Sequence, residues 1–223
     1  MKKNFIIKQL VGTLVFFLVL FISAGRINFW QGWVYVAVGL VMFFLGQTTL
    51  KIDDELAKER SKPGVDAKKW DKIILGLSFL STIGMFVVAG LDVGRYHWSP
   101  VLPSSFAFVG IILTILGQYL FLVAQKQNKF FSSVVRIQRD RGHTVCDSGL
   151  YKIVRHPAYL GSVIQSLGFP LLFGSLWSII PVIFSIILLF VRTSLEDKSL
   201  INELEGYSAY THKTRYKIIP YIY

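Results

Sequence analysis

Long apolar segments dominate this chain of 223 residues. A helix of about 20 apolar residues crosses the hydrocarbon layer of a bilayer, and it satisfies its own backbone hydrogen bonds there. The sequence therefore predicts an all-α, polytopic integral membrane helical bundle. The first segment follows Met1-Lys2-Lys3 like a signal peptide, but Ile22-x-Ala24 is a poor cleavage site, so we expect it to be retained. About six apolar segments are predicted, at residues 5–24, 29–50, 73–91, 104–125, 158–173 and 175–191.

Basic residues lie mainly between these segments. All lysines and arginines except Arg26 and Arg95 lie near the N-terminus, within 51–72 or 126–156, or in the tail from residue 192. This bias predicts a multi-pass plasma membrane protein with both termini in the cytoplasm. The net charge of +11 then indicates contact with anionic membrane lipids, and we expect no nucleic-acid partner. The mixed charges of 51–72 are typical of an amphipathic helix on the membrane surface.

The sequence gives no indication of a metal site or an intrachain disulfide bond. Cys146 is the one cysteine, so an intrachain disulfide is excluded. No cysteine–histidine cluster has metal-ligand spacing, because the four histidines are scattered. We therefore expect no metal site.

The last two apolar segments are short, at 16 and 17 residues, and Gly174-Ser175 joins them. They predict a tight C-terminal helical hairpin whose ends return to the same side of the membrane. Arg155-His156 enters this hairpin, and Arg192 and Glu196 leave it on one helical face. Ionisable residues are costly beside a bilayer, so this cluster is a candidate site.

Glycines recur every seven residues in two of the apolar segments. Because glycine lets helix backbones approach closely, this repeat predicts close helix packing. The residues are Gly32, Gly39 and Gly46 in one segment, and Gly110 and Gly117 in another.

Polar motifs follow one another in order from about residue 128 to the C-terminus. They are Gly142-His143-Thr144-Val145, Gly149-Leu150-Tyr151, Arg155-His156-Pro157-x-Tyr159-x-Gly161, Arg192-x-x-x-Glu196-Asp197, Glu203-x-x-Gly206-Tyr207-x-x-Tyr210 and Arg215-Tyr216-Lys217-x-Ile219-Pro220. This ordered set resembles the isoprenylcysteine carboxyl methyltransferase and phospholipid methyltransferase family of integral membrane enzymes. The resemblance implies S-adenosylmethionine as methyl donor, bound in a cytoplasmic pocket of residues 126–223. Residues 1–125 would then form the scaffold and the acceptor side.

Carried over residue by residue, the resemblance implies the site itself. Arg192 would handle the acceptor, and its planar, permanently charged fork suits an anionic group. The acceptor would then be a lipophilic or lipid-modified molecule with an oxygen nucleophile such as a carboxylate. A carboxylate and aromatic faces suit the cationic and flat groups of the cofactor. The cofactor contacts would be His143, Thr144, Val145, Cys146, Tyr151, His156, Pro157, Tyr159 and Glu196.

Two other functions remain open. A membrane reductase of the steroid or sterol type, using NADPH, has a similar helical C-terminal region, and the ending 215–223 resembles some of these proteins. Pro157 and Ala158 suit the methyltransferase pattern better, since asparagine often stands in place of Ala158 in the reductases. A non-catalytic transporter or lipid-binding protein is the third possibility.

Simple structural roles also remain open for several charged residues. Arg155 could anchor the chain at the interface, and Arg192 and Glu196 could form only an i, i+4 salt bridge. Asp197 could be a solvated partner or support the helix. Glu203, Tyr207 and Tyr210 could pack the C-terminal helix against the membrane face.

Overall fold

The computed structural model describes residues 2–48, Glu59 and 67–223. These residues form α-helices and no strand, which confirms the predicted all-α fold. Except for Glu59 and residues 67–72, the predicted surface helix of 51–72 lies outside the described residues. The α-helices are α1 (Lys2–Ala24), α2 (Trp30–Thr48), α3 (Lys69–Ala89), α4 (Ser104–Gln127), α5 (Pro157–Phe173), α6 (Ile179–Glu203) and α7 (Tyr207–Lys213), and a π-helix, Gly90–Tyr96, continues α3.

Four of the described helical segments are long and apolar enough to cross a membrane: α2, α3 with its π-helix, α4 and α6. Two further apolar helices, Gln9–Ala24 within α1 and the whole of α5, are shorter. Length and composition therefore support a multi-pass membrane protein with four candidate spans among the described residues, where the sequence predicted about six apolar segments.

The predicted C-terminal hairpin has arms of unequal length. Gly174 ends α5 with a φ of 69°, a left-handed conformation that glycine adopts readily. The second arm, α6, begins only at Ile179 and runs for 25 residues to Glu203 instead of ending at residue 191. No glycine or proline lies between Pro181 and Gly206, so nothing in the sequence stops the helix at its first charged residue. Its polar last third therefore extends beyond the apolar part.

Glycines join α4 to the first arm of the hairpin at two levels. A Cβ added at Gly161 would lie 2.6 Å from the carbonyl oxygen of Gly117, and one added at Gly168 would lie 2.8 Å from that of Gly110. The two antiparallel backbones are therefore in direct contact, as the seven-residue repeat predicted for Gly110 and Gly117. Gly39 differs, since an added Cβ there would meet nothing within 4 Å.

A buried aspartate holds the π-helix to the turn of the hairpin. Asp92 is fully buried, and its carboxylate accepts hydrogen bonds from the Ser99 backbone N–H at 2.7 Å and the Ser99 hydroxyl at 2.6 Å. The Ser175 hydroxyl donates to the same carboxylate at 2.6 Å. These bonds fix the end of the bundle where α5 turns into α6.

Candidate active site

A cavity of about 250 Å³ lies where the polar part of α6 meets the loops that follow α4. Nine of the ten predicted site residues line it: His143, Thr144, Val145, Cys146, Tyr151, His156, Tyr159, Arg192 and Glu196. Pro157 is the exception. It is the first residue of α5 and is buried behind His156 and Ala158, which both line the cavity.

His143 is held as a neutral ring in the cavity wall. The backbone N–H of Gln138 donates to its Nδ1 at 3.3 Å, and its ring lies 4.6 Å from the ring of Phe130. Burial, together with the charges of Arg136 and Arg141, lowers the pKa of His143 to about 4. Because Nδ1 is an acceptor, the ring proton at neutral pH is on Nε2, which leaves one hydrogen-bond donor.

Cys146 is a poor nucleophile in this wall. Its thiol contacts the Gln127 carbonyl oxygen at 3.5 Å, and burial raises the pKa of the thiol. A protonated thiol is unreactive, so Cys146 contributes shape to the wall and no thiolate chemistry.

Tyr151 presents its aromatic face to the cavity because its hydroxyl already has a partner. The hydroxyl donates to the Ala124 carbonyl oxygen at 3.2 Å, and the Tyr210 hydroxyl donates to the Tyr151 carbonyl oxygen at 2.6 Å. Tyr207 and Tyr210 are buried and line the same cavity. The prediction that these two tyrosines pack against a membrane face is therefore wrong.

Arg155 is a buried structural residue, and its interpretation as an interfacial anchor is wrong. Only 7% of it is exposed, and Asp197, only 2% exposed, accepts two hydrogen bonds from its Nε and Nη2 at 2.8 and 2.7 Å. Nη1 donates to the carbonyl oxygens of Thr214 and Arg215. Asp197 is thus a buried counterion and not a solvated partner. The Arg155–Asp197 pair therefore holds the C-terminal tail against the N-terminal end of α5.

His156 lies between this ion pair and the cavity. Its Nε2 is 3.3 Å from Asp197 Oδ1, which also accepts a hydrogen bond from the Tyr207 hydroxyl at 3.0 Å. The His156 ring stacks on Tyr159, with the ring centres 5.6 Å apart and the planes 5° from parallel. Asp197 therefore orients His156, which in turn packs flat against Tyr159.

Arg192 and Glu196 lie one helical turn apart, yet each has another partner. Arg192 Nε donates to Asp71 Oδ1 at 2.8 Å, and its guanidinium lies 5.5 Å from the centre of the Tyr159 ring. Glu196 Oε2 accepts a hydrogen bond from the Tyr159 hydroxyl at 2.6 Å. The interpretation of Arg192 and Glu196 as a simple i, i+4 salt bridge is therefore wrong, because the carboxylate partner of Arg192 is Asp71.

The sequence did not identify Asp71 or the loop 130–136 as parts of the site. Asp71 is fully buried in the first turn of α3, and its Oδ2 accepts the backbone N–H of Val135 at 2.8 Å. In the sequence, Asp71 is only one of the mixed charges that precede an apolar segment. Such a position predicts a solvated carboxylate and not a buried one. Glu59 holds the same loop through two hydrogen bonds of 2.8 Å from Arg136.

The charges around the cavity are arranged in pairs. Each of its arginines has a carboxylate partner, namely Glu59 for Arg136, Asp197 for Arg155 and Asp71 for Arg192. Glu196 accepts from a tyrosine and has no ion pair among the described residues. The part of the chain that the structure describes holds no group of three or more metal-ligating side chains. The site therefore offers a carboxylate, aromatic faces and a neutral imidazole.

Comparisons with known proteins match the part of the chain that carries the predicted site residues. Residues 110–202 match the sequence model of the isoprenylcysteine carboxyl methyltransferase (ICMT) family. A protein-S-isoprenylcysteine O-methyltransferase of Schizosaccharomyces pombe is 39% identical over 74 residues, which are 33% of this chain and 30% of that relative. One from Saccharomyces cerevisiae is 33% identical over 119 residues, covering 51% and 48% of the two chains.

A reductase is also similar to this chain. A Delta(14)-sterol reductase of Mus musculus is 29% identical over 141 residues, which are 57% of this chain and 33% of the reductase. The chain thus spans 30% to 48% of the length of these three relatives. The family match covers α4 from Gly110, the loops after it, α5 and nearly all of α6, and so includes all ten predicted site residues. The resemblance of this sequence to the isoprenylcysteine carboxyl methyltransferase family is thus confirmed by the match over residues 110–202.

Proposed function

We propose that this protein is a membrane methyltransferase that uses S-adenosylmethionine to methylate an oxygen of a lipophilic acceptor. The observation that carries the proposal is the convergence of nine predicted motif residues on one cavity, within the segment that matches the family. The cavity lies beside the polar end of a spanning helix, where a cofactor from water and a tail from the bilayer can meet.

The side chains of the cavity fit the chemistry of the proposed cofactor. Glu196 suits the cationic sulfonium, the ammonium group or the ribose hydroxyls. The faces of Tyr151 and Tyr159 suit the adenine or the sulfonium. Neutral His143 offers one N–H to the carboxylate of the cofactor. When bound, the cofactor supplies an electrophilic methyl group.

The acceptor side of the proposal rests on Arg192. Nε and Nη2 face Asp71 and the Ser133 carbonyl oxygen, so Nη1 is the nitrogen that can meet an acceptor oxygen. A carboxylate is ionised at neutral pH and needs no general base. Orientation by Arg192 and exclusion of water would then supply most of the acceleration. Because several relatives are named protein-S-isoprenylcysteine O-methyltransferase, we propose a lipid-modified cysteine carboxylate as acceptor.

A sterol-type reductase is the second candidate, because the mouse relative matches the longest stretch of the three described above. The charges of the cavity argue against it. NADPH carries several phosphate charges, whereas every arginine of the cavity already has a carboxylate partner and Glu196 adds a further negative charge. Binding such a polyanion would require breaking existing ion pairs.

We also propose that the protein lies in the plasma membrane with both termini on the cytoplasmic side. The distribution of the lysines and arginines supports this orientation. The tail supports it too, because the backbone N–H groups of Arg155 and His156 donate to Tyr216 and Lys217 beside the cavity. Reporter fusions to each terminus test this topology, and a periplasmic or extracellular signal at either end would refute it.

Ligand binding to purified protein in detergent tests the proposed cofactor. We expect S-adenosylhomocysteine to bind and NADPH not to bind in calorimetric titrations. Glu196→Gln should weaken S-adenosylhomocysteine binding about tenfold or more, as for loss of a hydrogen bond to a charged group. Glu203→Gln is the matched control on the same helix, since Glu203 pairs with Lys68 at 2.6 Å outside the cavity. Selective binding of NADPH would support the reductase instead.

Turnover tests the acceptor. Incubation with labelled S-adenosylmethionine and S-farnesyl-N-acetylcysteine should give a product whose label is released by mild base, as expected of a methyl ester. A base-stable product would show that the methyl group goes to another type of atom.

A further inference from the structure

Asp71 is a fully buried carboxylate that reaches the candidate active site from α3. It lies in the first turn of α3, outside the segment that matches the family, and is 121 residues from Arg192 in the chain. We propose that Asp71 is a positioning residue that orients Arg192 toward the acceptor. This inference rests on the proposed function, in which Arg192 binds the acceptor oxygen.

Asp71 controls the plane of the Arg192 guanidinium. Nε donates to Oδ1 at 2.8 Å, Nη2 lies 3.5 Å from Oδ2, and Nη2 also donates to the Ser133 carbonyl oxygen at 3.1 Å. The face of the guanidinium lies against the Tyr159 ring. With two nitrogens and one face occupied, only Nη1 has no hydrogen-bond partner among residues 2–48, 59 and 67–223. An acceptor oxygen therefore meets Arg192 from one direction.

The same carboxylate also positions the cavity wall. Oδ2 accepts the Val135 backbone N–H at 2.8 Å, two residues beyond the Ser133 carbonyl that Arg192 contacts. Asp71, Arg192 and the backbone of this loop thus form a closed set of hydrogen bonds. It joins α3, α6 and the loop between α4 and α5. A shift of Asp71 would move Arg192 and the wall together.

The charge of Asp71 indicates that this residue orients Arg192 and does not attract an anionic acceptor. A fully buried carboxylate 2.8 Å from Arg192 Nε cancels most of the field that would draw an anionic acceptor into the cavity. Its effect must therefore appear mainly in the chemical step, where geometry matters most. Replacing it with a neutral side chain would expose the positive charge of Arg192, so the affinity for the acceptor would stay the same or rise.

Asp71→Asn tests the proposal, and Asp92→Asn is its matched control. Both aspartates are fully buried on one continuous helical segment, Lys69–Tyr96, but Asp92 binds Ser99 and Ser175 at its other end. With S-farnesyl-N-acetylcysteine as acceptor, Asp71→Asn should lower kcat roughly tenfold to a hundredfold. KM for the acceptor should not rise, and S-adenosylhomocysteine affinity should change less than threefold. Asp92→Asn should reduce thermal stability and leave kcat near the wild-type value.

A double variant separates positioning from general support of the fold. If Asp71 acts through Arg192, adding Asp71→Asn to Arg192→Gln should cause no further loss of kcat. Losses that multiply, or a parallel loss of S-adenosylhomocysteine affinity in Asp71→Asn, would overturn the proposal. Should Asp71→Asn fail to fold, Arg192→Lys replaces it, because lysine keeps the charge but lacks the planar fork. Wild-type kcat in Arg192→Lys would equally overturn it.

A readout without any acceptor keeps this inference separate from the proposed function. The Arg192 Nε–H proton, held by Asp71, should give a slowly exchanging signal in ¹⁵N-correlated NMR spectra, assigned by its absence in Arg192→Lys. The signal should disappear in Asp71→Asn and remain in Asp92→Asn. If wild type shows this pattern but methylates no acceptor, the proposed function fails and Asp71 still orients Arg192. If the signal persists in Asp71→Asn, the inference itself fails.

Discussion

Arg155 and Arg192 look alike in the sequence, since each flanks an apolar segment of the hairpin, but their hydrogen bonds separate them. All three nitrogens of the Arg155 guanidinium donate to protein oxygens, on Asp197 and on the carbonyls of Thr214 and Arg215. In contrast, Nη1 of Arg192 has no hydrogen-bond partner within the part of the chain that the structure describes. A permanently charged fork can bind a ligand only where its donors are not already used. This difference indicates that Arg155 supports the fold, and it supports the proposal that Arg192 contacts the acceptor.

His143 should remain neutral well below pH 6.5. Burial and two neighbouring arginines lower its pKa to about 4, and protonation would place a proton on the nitrogen that accepts the Gln138 N–H. The unfolded chain takes up this proton near pH 6.5. Acidification between pH 6.5 and 4 therefore favours unfolding, and this contribution of His143 to stability is fully present only above pH 6.5.

Histidine NMR spectra check this prediction. The chain has four histidines, and the His143 signal is the one that His143→Asn removes. We expect its ring carbon shift to stay constant from pH 8 to about 5.5. A midpoint near pH 6.5 in the folded protein would show that burial does not hold the ring neutral.

The sequence predicts most of the site because its residues lie in local motifs. Gly142–Val145 and Arg155–Gly161 are short runs, and most of the predicted site residues within them line the same cavity. Asp71 could not be predicted in the same way. Its partner Arg192 lies 121 residues away, and no local pattern connects them.

The sequence predicts the presence of the apolar helices better than it predicts where they end. The apolar pattern places the second arm of the hairpin at 175–191. An apolar segment is only as long as the bilayer requires, whereas a helix continues until a residue that disfavours helix ends it. α6 ends at Glu203, where Leu204 leaves the helix with extended backbone, two residues before Gly206 precedes α7. The extra turns carry Arg192, Glu196 and Asp197, so the excess length of α6 beyond the apolar segment is what brings these side chains to the cavity.

Packing between α4 and α5 should depend on Gly161. A Cβ there would lie 2.6 Å from the Gly117 carbonyl oxygen and 2.9 Å from the Phe121 nitrogen, and neither backbone atom can move aside without shifting α4. We expect Gly161→Ala to cost about 1–3 kcal/mol of stability, the range for overpacking. It should also lower the midpoint of thermal unfolding in detergent.

Gly39→Ala is the matched control for this packing prediction. Its added methyl group meets nothing within 4 Å, and alanine is the better helix former by up to about 1 kcal/mol. Its thermal midpoint should equal or exceed the wild-type value. If Gly161→Ala behaved like Gly39→Ala, close contact of the two backbones would not be needed for stability.

Of the two predicted parts of the chain, 1–125 and 126–223, only the second carries predicted site residues. The two parts are nevertheless in contact at several places. The Phe86 ring of α3 lies 5.2 Å from the Phe169 ring of α5, and the Ser81 hydroxyl donates to the Pro181 carbonyl oxygen of α6 at 2.8 Å. The Asp71–Arg192 pair is a third connection. These contacts indicate that α5 and α6 need α3 to hold their positions.

Dividing the chain at an exposed position therefore tests whether the part that carries the predicted site residues can fold without α3. Val101 is fully exposed in the connection between the π-helix and α4, which makes it a suitable place to divide the chain. Residues 102–223 contain all ten predicted site residues and the α4–α5 contact. Expressed alone, they should show no cooperative thermal transition and no S-adenosylhomocysteine binding, because α5 and α6 lack their partner α3. Co-expression with residues 1–101 should restore both. Wild-type affinity in 102–223 alone would show instead that the cofactor side folds independently, and that the N-terminal helices serve only the acceptor.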